Sequence, residues 1–305
     1  MGTVAVEVVD LHKSYGALEA VRGIDLTVDE GEVFALLGPN GAGKTTTVEI
    51  LEGFRRRDSG RVSVLGFDPA TNDRKLKDQV GIVLQSSGVD QYLTVAETVD
   101  MFRGYYPKPR PRDEVIELVG LMDKHDSRVT KLSGGQRRRL DVAIALAGDP
   151  RILFLDEPTT GFDPGARRNA WEVIKGLAGL GKTIFLTSHS MDEVQYLADH
   201  VVIIAGGKVV AEGTPDTLAG RQKAATSVRF QLAESVSLPE SLRQGARIEG
   251  GNIELETQDP TRLLYDLTAW AVQAGVSLEA LEVTRPSLED VYLEITEGPA
   301  AEAAP

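Results

Sequence analysis

Three short stretches of this 305-residue chain combine residue types and spacings suited to chemistry on phosphate. Residues 38–45 read GPNGAGKT, a match to G-x-x-x-x-G-K-[ST]. Glycines let the backbone curl until successive N–H groups point at phosphate oxygens. The lysine then reaches the β- and γ-phosphates, and the closing threonine offers its hydroxyl to a magnesium ion. The expected nucleotide contacts are Gly38, Pro39, Asn40, Gly41, Ala42, Gly43, Lys44, Thr45 and Thr46. Residues 152–158 read ILFLDEP, where an apolar run delivers two carboxylates to the end of a strand. Neighbouring strand residues point to opposite sides. Asp156 is therefore expected toward the Mg²⁺ shell and Glu157 toward an attacking water, with Lys44 steadying charge on the transferred group. The third stretch, LSGGQRRRLD at 132–141, has a serine cap, two glycines and then a helix, an arrangement that receives an anion.

The elements that must hold these residues are legible around them. EVFALLG (32–38), RILFLDE (151–157), TIFLTSH (183–189) and HVVIIAGG (200–207) are continuous apolar strands of the kind buried in a parallel sheet. Helical periodicity runs through 45–51, 115–119, 136–147, 166–177 and 191–197, so strands and helices alternate. Ahead of them, Val4, Val6 and Val8, then Ile24, Leu26 and Val28, alternate with polar positions as in half-buried strands. Residues 94–147 hold helix and no buried strand, so LSGGQ sits in a helical insertion. After residue 220 the character changes. Strands are expected at 227–232, 247–257 and 277–283, helices at 261–273 and 287–295, and a polar tail at the end.

Composition narrows the class. The chain is 42% hydrophobic and 26% charged, ordinary for a protein with a sizeable core. No apolar run approaches the ~18–20 residues of a membrane-spanning helix, and the start lacks a signal-peptide pattern, so a soluble cytoplasmic protein is expected. With no cysteine, disulfides and thiol catalysis are excluded. From residue 225 onward 14 acidic residues face 5 basic ones, a poor surface for nucleic acid. Arg137, Arg138 and Arg139 do not change that. Consecutive helix positions point in different directions, so solvated arginines with local acidic partners are expected, not a basic stripe.

GPNGAGKT, LSGGQ and LDEP, in that order, resemble the ATPase subunit of an ABC transporter over about residues 4–220. The resemblance implies an α/β P-loop NTPase core with an antiparallel β subdomain and a helical subdomain. It also implies further roles. Tyr15 matches the aromatic residue that stacks on adenine, with Val21 as a second contact. Gln85 matches the glutamine that approaches Mg²⁺ and the water. His189 matches the histidine that meets the γ-phosphate. Asp163 matches a contact to the opposite subunit, although Phe162 stands where leucine is more usual. Ser133, Gly134, Gly135 and Gln136 are then expected to complete, in trans, the ATP site on a second copy of the chain.

TRPSLEDVYLEITEG (284–298) resembles the ending of ATPase subunits from bacterial drug-resistance exporters of the daunorubicin type, which carry a small C-terminal α+β domain. The expected organisation is an ATPase domain at 1–224, with a helical subdomain at about 88–148, an accessory domain at 225–297 and a tail at 298–305. The implied partners are a second copy and a separate membrane-spanning permease, which would hold the chain at the inner face of the membrane. The implied cargo is a drug or antibiotic, with lipid, polysaccharide or ions as alternatives. A soluble ABC ATPase acting on nucleic acid or ribosomes fits less well. Only about 90 residues without sustained heptads separate the two glycine motifs, and the chain holds one cassette.

Overall fold

The computed structural model describes residues 3–71, 73–83, 88–218, 220, 225–233, 236–243, 245–284 and 287–297. Two long strands open the chain, β1 (Val4–Tyr15) and β2 (Leu18–Asp29), pairing antiparallel. Their inward residues Val6, Val8, Leu11, Ile24, Leu26 and Val28 are buried, as alternation requires. β3 (Val33–Leu37) is buried at every position and leads through the glycine loop into α1 (Lys44–Leu51). β4 (Ser59–Val64) returns to pair with β1, and the single turn α2 (Arg74–Lys77) precedes β5 (Val80–Val83). A helical stretch follows with α3 (Val95–Arg103), α4 (Arg112–Leu118) and α5 (Gly134–Leu146). The chain then alternates through β6 (Ile152–Asp156), α6 (Pro164–Gly179), β7 (Thr183–Thr187), α7 (Met191–Leu197), β8 (His200–Ala205) and β9 (Lys208–Gly213).

The central sheet has the order β5-β6-β7-β3-β8-β9, parallel except for β9, and β2-β1-β4 forms the antiparallel sheet. Side chains from both sheets and from α1 share one core. Because β6, β7 and β3 are adjacent and parallel, the residues that follow them emerge along one edge of the sheet. Ligands sit at that edge in open α/β folds. Register is fixed by a ladder of rings. Phe154, Phe185 and Phe34 are directly paired on β6, β7 and β3, with centroids 5.4 and 4.9 Å apart. His200 on β8 meets Phe34 edge-on at 5.4 Å. Such contacts contribute about 0.5–1.5 kcal/mol each beyond burial.

A second compact unit spans Asp216–Glu294. Its sheet, β11-β12-β10-β13, comprises β10 (Thr226–Gln231), β11 (Arg247–Glu249), β12 (Asn252–Thr257) and β13 (Glu279–Thr284). Its helices are α8 (Glu240–Arg243) and α9 (Pro260–Ala274), and α10 (Leu288–Glu297) begins within it. Asp259 caps α9 through the Arg262 N–H, Pro260 opens it, and left-handed Gly275 ends it. Val228, Phe230, Ile253, Leu255 and Leu267 form this unit's own core. The contact boundary after Pro215 precedes the expected one at residue 224. Charge marks where the acidic part begins, whereas contacts mark where the chain leaves β9.

Candidate functional site

The glycine loop wraps the end of β3 so tightly that side chains are excluded. A Cβ at Gly38 would lie 2.2 Å from the Ile204 carbonyl, and one at Gly43 would lie 2.4 Å from the Ala20 carbonyl. Gly43 is also left-handed (φ 103°) at the N-cap of α1, and no side chain caps that helix. Its first-turn N–H groups are therefore left for an anion. Lys44 is buried, and its Nζ donates to the carbonyls of Gly38 (2.5 Å) and Pro39 (3.0 Å). Burial lowers its pKa, opposed by the negative charges of Glu157 and Asp156.

A cavity of about 370 Å³ opens over this loop. It is lined by Tyr15, Leu18, Ala20, Pro39, Asn40, Gly41, Gly43, Lys44, Thr45, Thr46, Asp156, Glu157 and His189. Tyr15 stands half-exposed at the rim with its hydroxyl 3.4 Å from Thr46 Oγ1, and the Arg55 guanidinium lies 5.1 Å from its ring centre. Val21 departs from expectation. It faces the core, because strand alternation on β2 turns Leu18 and Ala20 toward the cavity instead. Ala42 likewise packs its methyl into the core, leaving only its backbone for a phosphate.

The carboxylates hold separate positions. Asp156 accepts from the Thr187 hydroxyl at 2.5 Å. Glu157 sits within 2.7 Å of His189 Nε2 through one oxygen and accepts from the Thr160 hydroxyl (3.1 Å) through the other. Its backbone is left-handed (φ 46°), a conformation that costs a non-glycine residue roughly 1–3 kcal/mol. Its N–H donates to the carbonyl and hydroxyl of Thr187, both at 3.2 Å. Thr45 and Asp156 supply a hydroxyl and a carboxylate, hard oxygens that suit Mg²⁺, which takes its other ligands from phosphate and water. Gln85, the other expected metal contact, lies outside the described residues.

Two acids beside this edge, one buried and one half-buried, carry no motif signal. Glu193 on α7 is 1% exposed, and it accepts from Thr159 (2.7 Å), Trp171 Nε1 (3.0 Å) and Ser188 (2.6 Å). It thereby ties the turn after Glu157 to the residue before His189. Glu52, at the end of α1, has its pKa raised to about 8 by burial and by the charges of Asp156 and Glu49.

Ser133 caps α5 by a reciprocal pair of bonds. Its hydroxyl accepts from the Gln136 N–H (3.3 Å), and the Gln136 side chain accepts from the Ser133 N–H (2.9 Å). Gly134 and Gly135 occupy the first helical positions, whose N–H groups have no acceptor inside a helix. Beside them runs a groove of about 660 Å³, whose wall includes Ser133, Gly134, Gly135, Arg138, Glu157 and Asp163. Asp163 also caps α6, accepting from the N–H groups of Gly165 and Ala166 at 3.0 Å each. The three arginines diverge, and backbone carbonyls accept from each of them. Arg137 donates to Thr130, Arg138 to Asp156 and Pro158, and Arg139 to Val119 and Gly120.

A family model described as ABC transporter matches residues 21–160. A second model, for the C-terminal domain of ABC transporter domain-containing protein-like chains, matches residues 226–287. The chain is 37% identical to the daunorubicin resistance ATP-binding protein DrrA2 of Streptomyces coeruleorubidus, over 96% of its own length and 95% of the relative's. It is 38% identical to Nod factor export ATP-binding protein I of Rhizobium sp. (strain N33), over 97% and 98% of the two chains. Among solved structures, cbiO1 from Clostridium perfringens, part of the ABC transporter complex cbiONQ, superposes with a TM-score of 0.62. That likeness carries 29% identity and covers 70% of this chain and 90% of the other. The glycine loop, the carboxylate edge and the capped LSGGQ helix thus belong to an ATP-binding cassette, and the chain is a member of the ABC transporter family, an ABC ATPase. Within that family it is an ATP-binding protein of the daunorubicin-resistance and Nod-factor exporter type. No helix among the described residues is long and apolar enough to cross a membrane.

Proposed function

We propose that two copies of this chain enclose ATP between the glycine loop of one and Ser133–Gln136 of the other, and that turnover drives export through a separate membrane-spanning subunit. One observation carries the reading: Glu157 lines both the nucleotide cavity and the groove beside LSGGQ. Glu157, held by its contact with His189, accepts the proton of the attacking water. Lys44 exchanges its loop carbonyls for the β- and γ-phosphates, and His189 steadies charge on the transferred group. Tyr15 stacks on the base, and Asp163 faces the second copy. Thr45 and Asp156 would hold a magnesium ion arriving with the nucleotide, and that ion would supply Lewis-acid neutralisation of phosphate charge.

The export direction is supported by the name of the Nod factor relative, and a drug or antibiotic cargo by that of the daunorubicin resistance relative. Docking to the permease would place the chain at the cytoplasmic face of the membrane. The test is co-reconstitution with the neighbouring membrane subunit in vesicles. ATP-dependent movement of an anthracycline, absent with Glu157→Gln, supports the reading. Transport that continues in that variant refutes it. At the level of the site, Ser133→Ala and Gly135→Asp should leave ATP binding by the monomer intact while abolishing turnover. Loss of both would mean that LSGGQ is not the second half of the site.

A further inference from the structure

Arg138 connects the two halves of the site within one chain. It lies one turn into α5, behind the capped residues Ser133–Gln136, and its side chain is 11% exposed. Nη2 donates to the Asp156 carbonyl at 2.8 Å and Nε to the Pro158 carbonyl at 3.3 Å, with the Glu157 carbonyl 3.5 Å from Nη2. Asp141, one turn further along the helix, lies 3.9 Å from Nη1. The guanidinium therefore brackets Glu157 from both sides, gripping the peptide before it through the Asp156 carbonyl and the second peptide after it through the Pro158 carbonyl. With the Glu157 carbonyl 3.5 Å from Nη2, the fork spans the segment that holds its left-handed backbone. A planar fork with fixed N–H directions can hold two carbonyls at once, which an ammonium cannot do with the same geometry.

The same helix is anchored on its other sides by Arg137 to Thr130 and Arg139 to Gly120. A displacement of the helix start then moves the Arg138 fork with it, since four residues of helix transmit displacement rigidly. Glu157 and Arg138 also share the wall of the groove beside Ser133 and Gly134.

We propose that Arg138 is a positioning residue that couples phosphate occupancy at Ser133–Gln136 to the placement of Glu157 in the same chain. This rests on the reading that ATP is enclosed between two copies. Each ATP site of the pair then senses the other. A γ-phosphate bound in trans seats α5, α5 seats Arg138, and Arg138 seats the glutamate that serves the chain's own nucleotide. Misplacement of a catalytic group by about 1 Å costs roughly 100-fold in rate.

The test compares Arg138→Lys and Arg138→Ala with wild type in steady-state ATP hydrolysis, alongside nucleotide-binding titration to count folded sites. The expected result is a kcat lowered about 10-fold in Arg138→Lys and about 100-fold in Arg138→Ala, with KM within about twofold. The Hill coefficient for ATP should fall to one in both variants. Millimolar methylguanidinium should restore part of the Arg138→Ala rate, which a merely structural loss would not allow. A kcat and Hill coefficient unchanged in Arg138→Lys would overturn the inference. So would a fall in kcat that only follows the loss of folded sites. If Arg138→Ala fails to fold, Arg138→Lys decides the matter by the same criteria. Ser133→Ala is run in parallel. If it turns over at the wild-type rate, the two-chain site itself is wrong and the coupling goes with it. If it is inactive while Arg138→Lys behaves as wild type, only the coupling is refuted.

Discussion

Truncating Glu193 tests whether the buried acid organises the catalytic edge. The carboxylate is 1% exposed and accepts three hydrogen bonds, from Thr159, Trp171 and Ser188. Bonds to a charged acceptor contribute about 1.5–3 kcal/mol each. Removing all three therefore withdraws a gross ~5–9 kcal/mol, part of which is returned because the carboxylate no longer has to be desolvated. Glu193→Ala should lower stability by about 3 kcal/mol net. Glu193→Gln retains an acceptor for Thr159 and Trp171 and presents an amide to Ser188, whose hydroxyl can turn to accept it. That variant should lose only about 1 kcal/mol. The assay is guanidinium unfolding followed by fluorescence in a Trp270→Phe background, so that Trp171 alone reports. Thr159 and Ser188 adjoin the segments carrying Glu157 and His189, so kcat should fall in the same order, alanine below glutamine. A Glu193→Ala variant within about 0.5 kcal/mol of wild type would refute the reasoning, since a fully bonded buried carboxylate cannot be removed at so small a cost.

Other outcomes follow from the same geometry. Lys44→Ala should weaken ATP binding by at least 10-fold in equilibrium titration, because among the described residues no other ammonium lines the nucleotide cavity. Glu157→Gln should retain binding and lose about 10²–10⁴-fold in turnover, measured as phosphate release. Glu52, whose pKa is raised to about 8, stabilises the fold fully only below its ordinary carboxylate value. That contribution is lost as pH rises from about 4.5 through 8, a change on the order of 5 kcal/mol in the nucleotide-free protein. Glu52→Gln should flatten this slope, and unfolding midpoints for the two proteins that run parallel across the range would exclude the effect.

Sequence periodicity and motif spacing reach the sheet edge readily and its supports hardly at all. β3, β6, β7 and β8 are runs of apolar residues buried on both faces, a pattern with few alternatives. β4 and β9 escape notice because SGRVSV and KVVAEG bury little and are interrupted by glycine and charge. Glu193 and Arg138 are illegible for a different reason. A lone charged residue on a helix reads as a solvated position, and nothing local reveals that Thr159 and Trp171 reach Glu193, or that three carbonyls reach Arg138, from segments elsewhere in the chain. Val21 shows the reverse limit, since a position one residue off on a strand faces the opposite side.

The ring ladder across β6, β7, β3 and β8 also bears on how the cassette can work as a machine. Phe154, Phe185, Phe34 and His200 clasp the four strands at a single level, and three of those strands carry the glycine loop, Glu157 and His189 at their ends. Interlocked rings in a packed interior switch between discrete arrangements and do not yield by degrees. The strands therefore resist fanning apart, and the sheet beneath the site moves as one stiff plate. Movement under the two-copy reading would then be taken up outside the ring ladder, in the stretch α3 to α5, with Arg138 carrying it to the segment beyond β6. Amide exchange should register the division, slowest along β3 and β7 and quickening with nucleotide state only in the helical stretch.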